Sequence, residues 1–470
     1  MSSLNASLAT ALSGLQAEQG ALEATTNNVA NANTPGYSRE VPVLETSDPV
    51  TIGSLTLGTG VTLESIESIR DPILESQIQQ ETQTQGQMNS LVAALQQTQT
   101  NFSSTTGDIG TAISNFFSSI NQLATSPADL SLRQGVLTAA DNLASAFNTV
   151  ANNLTEQRTN LDDNVEQTVG QINQLTGQIA QLNGEISQAE NAGGTAGTLI
   201  DQRTELIDQL SSLVDVSVIP TGNTLTLTTA AGTALVAGQQ SFQLSTQANS
   251  SGEQDVYSGS TDVTPTIVSG QLGGILQARD QQIPSLQNQL DTVAAGIANA
   301  VNGVQTNGYD LNGNPTGATD ANGNPQTPVY LFNPPPAAGT GAAADMSVAI
   351  TDPSLIAASS DGTTGNNSNA NAMYALGNQA IVNGQSPSDY YSGIVFDVGN
   401  AVSNATAEQS ASNQMLQQLD DQRSSVSGVS LNEEAANMIQ YQQAYAASAQ
   451  VITAINDMMY DVINMTTLTT

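Results

Sequence analysis

Apolar residues recur every seven positions at the start of the chain, at Leu8, Leu15, Leu22 and Val29, with Leu4, Ala11 and Leu12 widening the stripe. Such a repeat lines one side of a helix, so the spacing predicts a helix that runs to the asparagine-rich stretch "NNVANANTPGYSRE". Asparagine accepts the left-handed conformation that closes helices, and Thr34-Pro35-Gly36-Tyr37 places proline and glycine where a type II turn needs them. Short β-branched pieces follow at 41–44, 50–57 and 61–63. From about residue 71 to 214 the pattern is helical almost throughout. Its clearest part is Val165, Thr168, Ile172, Leu175, Ile179, Leu182, Ile186 and Ala189, a strict 3-4 alternation coated with glutamine. This run predicts an antiparallel coiled-coil arm, returning along the helix before it or along the one at 199–213.

At residue 214 the period changes to two, with Gly-Asn at a hairpin turn, which predicts a β module inserted at 216–270. A helix at 275–304 comes next, then the near-repeats "DLNGNPTGAT" and "DANGNPQTPV" and a loop-rich tract with short strands. A helix from about 390 to 421 leads to a last stripe, Leu431, Met438, Tyr445, Ile452 and Met459, with Tyr441, Ile455 and Val462 on the neighbouring row. The expected fold is mainly α with inserted β modules, a multidomain α+β chain with a long helical middle domain. Its N- and C-terminal heptad helices pair as a coiled coil. The expected division is 1–40 plus 420–470 for terminal assembly, 41–215 plus 271–305 plus 385–419 for the helix-rich domain, 216–270 for the β module and 306–384 for an outer segment.

A solitary terminal helix with about five stripe side chains recovers less from burial than it loses in backbone entropy. The two terminal helices are therefore expected to need one another and neighbouring subunits, and to be largely disordered in a free monomer. On this reading Leu4, Leu8, Leu15, Leu22, Val29, Leu431, Met438, Tyr445, Ile452 and Met459 form an assembly interface.

Composition narrows the function. Of 470 residues, 38% are hydrophobic but only 4% aromatic, with no tryptophan, which suits helix-on-helix packing by small and aliphatic side chains. Forty-two acidic residues face seven basic ones, all arginine, for a net charge of −35. Nucleic acid and anionic membrane both demand positive charge, so neither is an expected partner. Without cysteine or histidine there can be no disulfide scaffold, thiol nucleophile, Ser-His dyad or ordinary zinc sphere. No basic residue precedes Arg39 and no run of 18 apolar residues occurs, so export by an ordinary cleaved signal peptide is not expected.

Two motifs invite a chemical reading. The Asp310 and Asp320 loops resemble calcium ligands, but glycine falls fourth rather than sixth and no glutamate closes the loop, so turns are expected and no metal. The carboxylate pairs Asp162-Asp163, Asp420-Asp421 and Glu433-Glu434 lie on or beside helices, where sequence neighbours diverge. Glu433 and Glu434 are read as a solvated face or as charges favoured by a helix N-terminus. No catalytic residue and no cofactor is expected.

"ALSGLQAEQGALEATTNNVANANTPGYSRE" resembles the N-terminal signature of the axial proteins of the bacterial flagellum, the rod, hook and hook-associated family. "SGVSLNEEAANMIQYQQAYAASAQVITAINDMMYDVINM" resembles their C-terminal signature, and interior segments such as "QLATSPADLSLRQGVLTAADNLASAFN" resemble the members at the hook-filament junction. The resemblance implies a self-assembling, non-enzymatic structural protein in a ring, outside the cell, at the distal end of the hook. It implies the hook protein and the second hook-filament junction protein as neighbours. It also implies unprocessed type III export, with an export chaperone on the C-terminal helix. Asn31, Asn33, Pro35 and Gly36 would set the angle at which the chain leaves the inner helical layer, and Tyr37 with Arg39 would anchor it to the next domain or subunit. Two other readings stay open at this point: another axial protein, hook or distal rod, and a secreted carbohydrate-active or adhesive protein with coiled-coil stalks.

Overall fold

The computed structural model describes residues 2–52, 55–102, 108–192, 194–222 and 224–467. The first helix, α1 (Ser2–Asn31), ends at the asparagine cluster. Strands β1 (Glu40–Thr46) and β4 (Val61–Ser68) pair antiparallel, with the hairpin β2 (Val50–Ile52) and β3 (Leu55–Leu57) between them. Four helices follow: α2 (Pro72–Phe102), α3 (Ile109–Thr125), α4 (Leu130–Asn191) and α5 (Gly197–Leu213). Asp108 and Asp129 start α3 and α4 by accepting backbone N–H groups of their first turns.

The β module is two antiparallel sheets. One has the order β5 (Ser217–Thr221), β6 (Thr224–Thr228), β7 (Ala234–Ala237), β8 (Gln240–Ser241); the other pairs β9 (Leu244–Ala248), β10 (Gln254–Ser258) and β11 (Thr261–Asp262). The β5–β6 turn holds Gly222 at φ +60, and Asn223 lies outside the described residues. A long helix then runs as α6 (Gly270–Gln277), a π-helical turn over Ala278–Gln282, and α7 (Ile283–Gln305). After an irregular segment containing α8 (Ser368–Ala375) come α9 (Pro387–Ser427) and α10 (Leu431–Thr467). Ser386 caps α9 by accepting from Asp389 N, with Pro387 in the first turn. Among the described residues no helix is long and apolar enough to cross a membrane.

The helix α4 is 62 residues long, about 93 Å, and forms the spine of the body. Most of its buried apolar residues belong to a core shared by α2, α3, α6, α7, the β module and the irregular segment, around Phe116, Phe147 and Phe332. The expected coiled-coil arm is therefore replaced by one face of this spine. Ile172, Thr176, Ile179, Asn183 and Ile186 are buried, while Leu175 and Leu182 sit half-buried at the margin. Asn173 and Asn183 explain the difference. Asn173 donates to Leu244 O at 2.8 Å and Asn183 to Gly238 O at 2.7 Å, so this face binds sheet backbone. The helix α5, one of the two expected return partners, packs on α4, with Arg203 reaching Asn183 at 2.9 Å.

In 306–384 the expected short strands are absent among the described residues; only isolated bridges occur, such as Tyr309 with Pro315 and Thr319 with Pro325. Aspartate-led turns and prolines close the chain before a ladder can extend. Buried Leu331, Phe332 and Met346 nevertheless tie this segment to the core, and Arg133 donates to Ile356 O at 2.6 Å and Pro127 O at 2.7 Å.

Candidate functional site: a joint beneath a helix pair

The helix α1 lies antiparallel along α10, as shown by Asn28 meeting Glu434 near the joint and Gly14 facing Ser448 farther along. Its other flank rests on β1 and β4. Gly20 permits that approach, since a Cβ there would run into Leu63. The residues α1 turns inward are mostly small: Ala11, Ala17, Gly20, Ala21, Ala24, Thr25 and Asn28 are buried. Among the stripe residues, Leu4, Leu8, Leu15 and Leu22 are half-buried and Val29 is exposed. On α10, Met438, Ile452 and Met459 are half-buried, Leu431 and Tyr445 exposed, and Ile455 buried.

At the base of this pair the chain turns. Tyr37 N donates to Thr34 O at 3.2 Å and Gly36 has φ +74, as glycine at the third position of a type II turn requires. Asn31 donates to Asn27 O at 3.1 Å and accepts from Thr34 Oγ1 at 3.2 Å, whereas Asn33 and Pro35 are exposed. Tyr37 folds back, its hydroxyl donating to Asn28 Oδ1 at 2.9 Å. Burial raises the Tyr37 phenol pKa, and Glu40, Asp201 and Glu434 push it further.

Asn28 and Glu434 are the centre of the joint, and heptad spacing did not single out either. Asn28 Oδ1 also accepts from Glu40 N at 2.8 Å, and its amide donates to Glu40 O at 2.8 Å and Glu434 Oε2 at 3.2 Å. Glu434 is 1% exposed and takes Arg39 Nε at 2.8 Å, while Arg39 also reaches Glu433 at 3.0 Å. The solvated-face reading thus fails for Glu434, although Glu433 is 62% exposed. Arginine in the turn recruits the first turn of α10 and desolvates one carboxylate of the pair. The short step from a helix-ending asparagine cluster to the first arginine was the available signal.

A second set of bonds ties the turn to the body. Ser38 N donates to Asp201 Oδ2 at 3.1 Å, and Arg70 reaches Asp201 Oδ1 at 2.6 Å, Gly197 O at 2.8 Å and Ser38 Oγ at 3.2 Å. Arg39 N donates to Ser427 O at 2.9 Å, joining the motif to the end of α9. Between these layers lies a cavity of about 270 Å³ lined by Asn33, Pro35, Tyr37, Glu75, Arg423 and Gly428. Burial raises the Glu75 pKa, with Arg70 acting against it.

Elsewhere the candidate chemistry resolves into structure. In each near-repeat the aspartate accepts two backbone N–H groups, Asn312 and Asn314 for Asp310 and Asn322 and Asn324 for Asp320, all at 2.8 Å. These are aspartate turns, with Gly313 and Gly323 at positive φ. Asp162 binds Arg279 Nη1 at 2.6 Å and Asp420 binds Arg423 at 3.2 Å. Among the described residues no group of three acidic side chains could hold a metal ion. A groove of about 660 Å³ is lined by amides such as Gln97, Asn101, Asn153 and Gln157 around the single carboxylate Glu156.

Three stretches of the chain match known protein families, two of them at the paired terminal helices. Residues 8–37 match the flagella basal body rod protein family, 420–465 the C-terminal family of the flagellar basal body rod FlgEFG proteins, and 95–319 the helical domain of flagellar hook-associated protein FlgK. Flagellar hook-associated protein 1 of Bacillus subtilis is 31% identical, covering 99% of each chain. Its counterparts in Salmonella typhimurium and Escherichia coli are 26% and 27% identical, each covering 97% of this chain and 99% and 98% of their own. The structure of the flagellar hook junction protein FlgK from Burkholderia pseudomallei superposes with a TM-score of 0.65 at 21% identity, covering 75% of this chain and all of that one. The chain belongs to the flagellar hook-associated protein 1 family.

Proposed function

We propose that this chain is a non-enzymatic structural protein that self-assembles at the distal end of the hook and joins hook to filament. The observation that carries the reading is the pairing of α1 with α10 in a chain whose full length matches hook-associated protein 1. That pair leaves Leu12, Leu431, Val451, Met458 and Ile463 about half exposed, an apolar surface suited to neighbouring subunits. The pair with its turn, 1–40 plus 420–470, is the assembly unit. The helix-rich body, the β module and the 306–384 segment face outward. Within the assembly unit the terminal helices pack as a coiled coil along the inner wall of a tube. The stripe from Leu4 to Val29 and from Leu431 to Met459 makes the intersubunit contacts.

The joint sets the angle between that wall and the body. Hook protein on one side and the second junction protein on the other are the neighbours. The chain leaves the cell unprocessed through type III export, with a chaperone on α10.

Labelling of intact flagella with an antibody to the chain should mark the hook-filament boundary. A strain without the protein should keep its hooks and shed filament subunits. Loss of the hooks themselves would instead assign the chain to the hook or rod. Leu15→Asp or Ile452→Asp should abolish incorporation while the body stays folded, and normal incorporation of either variant would overturn the proposed interface.

A further inference from the structure

Every positive side chain in this protein has an internal acceptor. The sequence holds seven arginines and no lysine or histidine. Arg39 pairs with Glu433 and Glu434, Arg70 with Asp201, Arg158 with Glu253, Arg279 with Asp162 and Asp280, and Arg423 with Asp208 and Asp420. Arg133 is caged by carbonyl oxygens and Arg203 donates to Asn183. None of the seven is an exposed residue. The outer surface is thus strongly anionic, and each arginine on it already has an acceptor within the chain.

The terminal pair is an extreme case. Neither α1 nor α10 contains a basic residue; α1 carries Glu18 and Glu23, and α10 carries Glu433, Glu434, Asp457 and Asp461. Arg39 satisfies Glu433 and Glu434, and among the described residues no salt bridge reaches the other four. Glu23, Asp457 and Asp461 are exposed on the helices whose apolar side chains are also exposed. Bringing copies together through this surface brings carboxylates toward carboxylates with no basic residue of α1 or α10 to offset them. Two like charges about 4 Å apart repel by about 1 kcal/mol even in bulk water. The screening length falls from about 30 Å at 0.01 M salt to about 3 Å at 1 M.

We propose that association between copies of this chain through the terminal helix pair is gated by bulk cations, which screen the anionic faces of α1 and α10, helices that carry no positive side chain of their own. The proposal rests on the self-assembly reading above. It requires diffuse screening, not a bound ion.

Sedimentation of the full-length protein across sodium chloride from about 0.02 to 1 M, a range over which exposed charges become screened, tests it. Wild type should gain association by about tenfold or more across that range. The variant Glu23→Gln, Asp457→Asn, Asp461→Asn should associate at the lowest salt about as strongly as wild type does at high salt. Tetramethylammonium chloride should serve as well as sodium chloride, and a chelator should change nothing. Association that ignores salt, or a variant with the same salt dependence as wild type, overturns cation gating and leaves self-assembly standing. A strict need for a divalent ion at fixed ionic strength also overturns it. Absence of association by either protein under every condition removes the self-assembly reading, and the proposal with it.

Discussion

In the helical body, α4 turns Leu143, Phe147, Leu154 and Ile172 into a core where each is fully buried; in the terminal pair, α1 turns Ala17, Ala21 and Ala24 inward and leaves Leu12 and Val29 outside. Both helices carry apolar residues at heptad spacing. The difference is the number of neighbours. The helix α4 is covered by helices, sheets and the irregular segment, so large side chains find partners on several sides. Among the described residues the helix α1 packs mainly on α10 and on the β1–β4 strand pair, and small residues let these backbones approach closely. Large side chains on its flanks are then left half-buried, as Leu8 and Leu15 are, or exposed, as Leu12 and Val29 are, within one chain. The body is a completed core, whereas the terminal pair is a partial one.

That contrast breaks first if the body proves no more self-sufficient than the ends. Phe147→Ala should cost about 3–5 kcal/mol of global stability, the usual range for emptying a buried aromatic site. Leu15→Asp should leave the body's denaturation midpoint unchanged. Hydrogen exchange sharpens the same point: in the isolated chain amides of α1 should be measurably less protected than those of α4. Equal protection of α1 and α4 would erase the distinction.

The seam between the two regions gives the next largest effect. Asp208 on α5 faces Arg423 at 3.6 Å and is 19% exposed. Burial raises its pKa to about 7, with Glu205 and Glu75 adding to the rise and Arg423 and Gln79 opposing it. A carboxyl whose folded pKa lies above its unfolded value holds extra protons in the folded state. Its stabilising contribution is complete below about pH 4 and is lost as pH rises through about 7. Asp208→Asn should therefore match wild type near pH 4 and exceed it by on the order of 2–4 kcal/mol at pH 8. Parallel stability profiles for the two proteins would show that Asp208 does not titrate in this way.

How much of this was readable beforehand follows the same division. Regular elements showed themselves where period alone decides them: the terminal helices, the switch to period two at residue 214 and the Thr34–Tyr37 turn all appear. The supposed arm at 165–189 appears as helix with α5, one of its two expected partners, packed on it, but sheet covers part of the face where a free coiled coil was expected. A heptad looks alike whether a helix or a sheet covers it, and Asn173 and Asn183, polar interruptions in the run, were the local sign of sheet backbone. Glu434 does stand at a helix start, as one of its two readings had it, but the solvated-face alternative fails there for a related reason. Carboxylates at the start of a helix are ordinarily solvated, and only the fold brings Arg39 and Asn28 onto this one from about 400 residues away. The partners of a buried charge follow from tertiary placement, which periodicity does not encode.

Glu434 supplies a smaller and more local test. Glu434→Ala would leave Arg39 Nε and the Asn28 amide without their shared acceptor beside the α1–α10 contact. Removing a charged hydrogen-bond partner of this kind costs about 1.5–3 kcal/mol. The loss should appear as faster exchange in α1 and the first turns of α10 with the body unaffected. An equal loss of protection in α4 would mean that the joint and the body unfold as one unit.

The smallest expected effect isolates the turn itself. Gly36 has φ +74, and a Cβ there would come within 3.2 Å of Glu205 Oε2, the end of a flexible side chain. Conformation therefore outweighs contact, and Gly36→Ala should destabilise the joint by about 1 kcal/mol. Asparagine adopts the left-handed region more readily, so Gly36→Asn should lose less than Gly36→Ala although its side chain is larger. Exchange rates at 27–40 and in the first turns of α10 would report the order. If asparagine were the worse of the two, crowding against Glu205 and not backbone conformation would govern the turn.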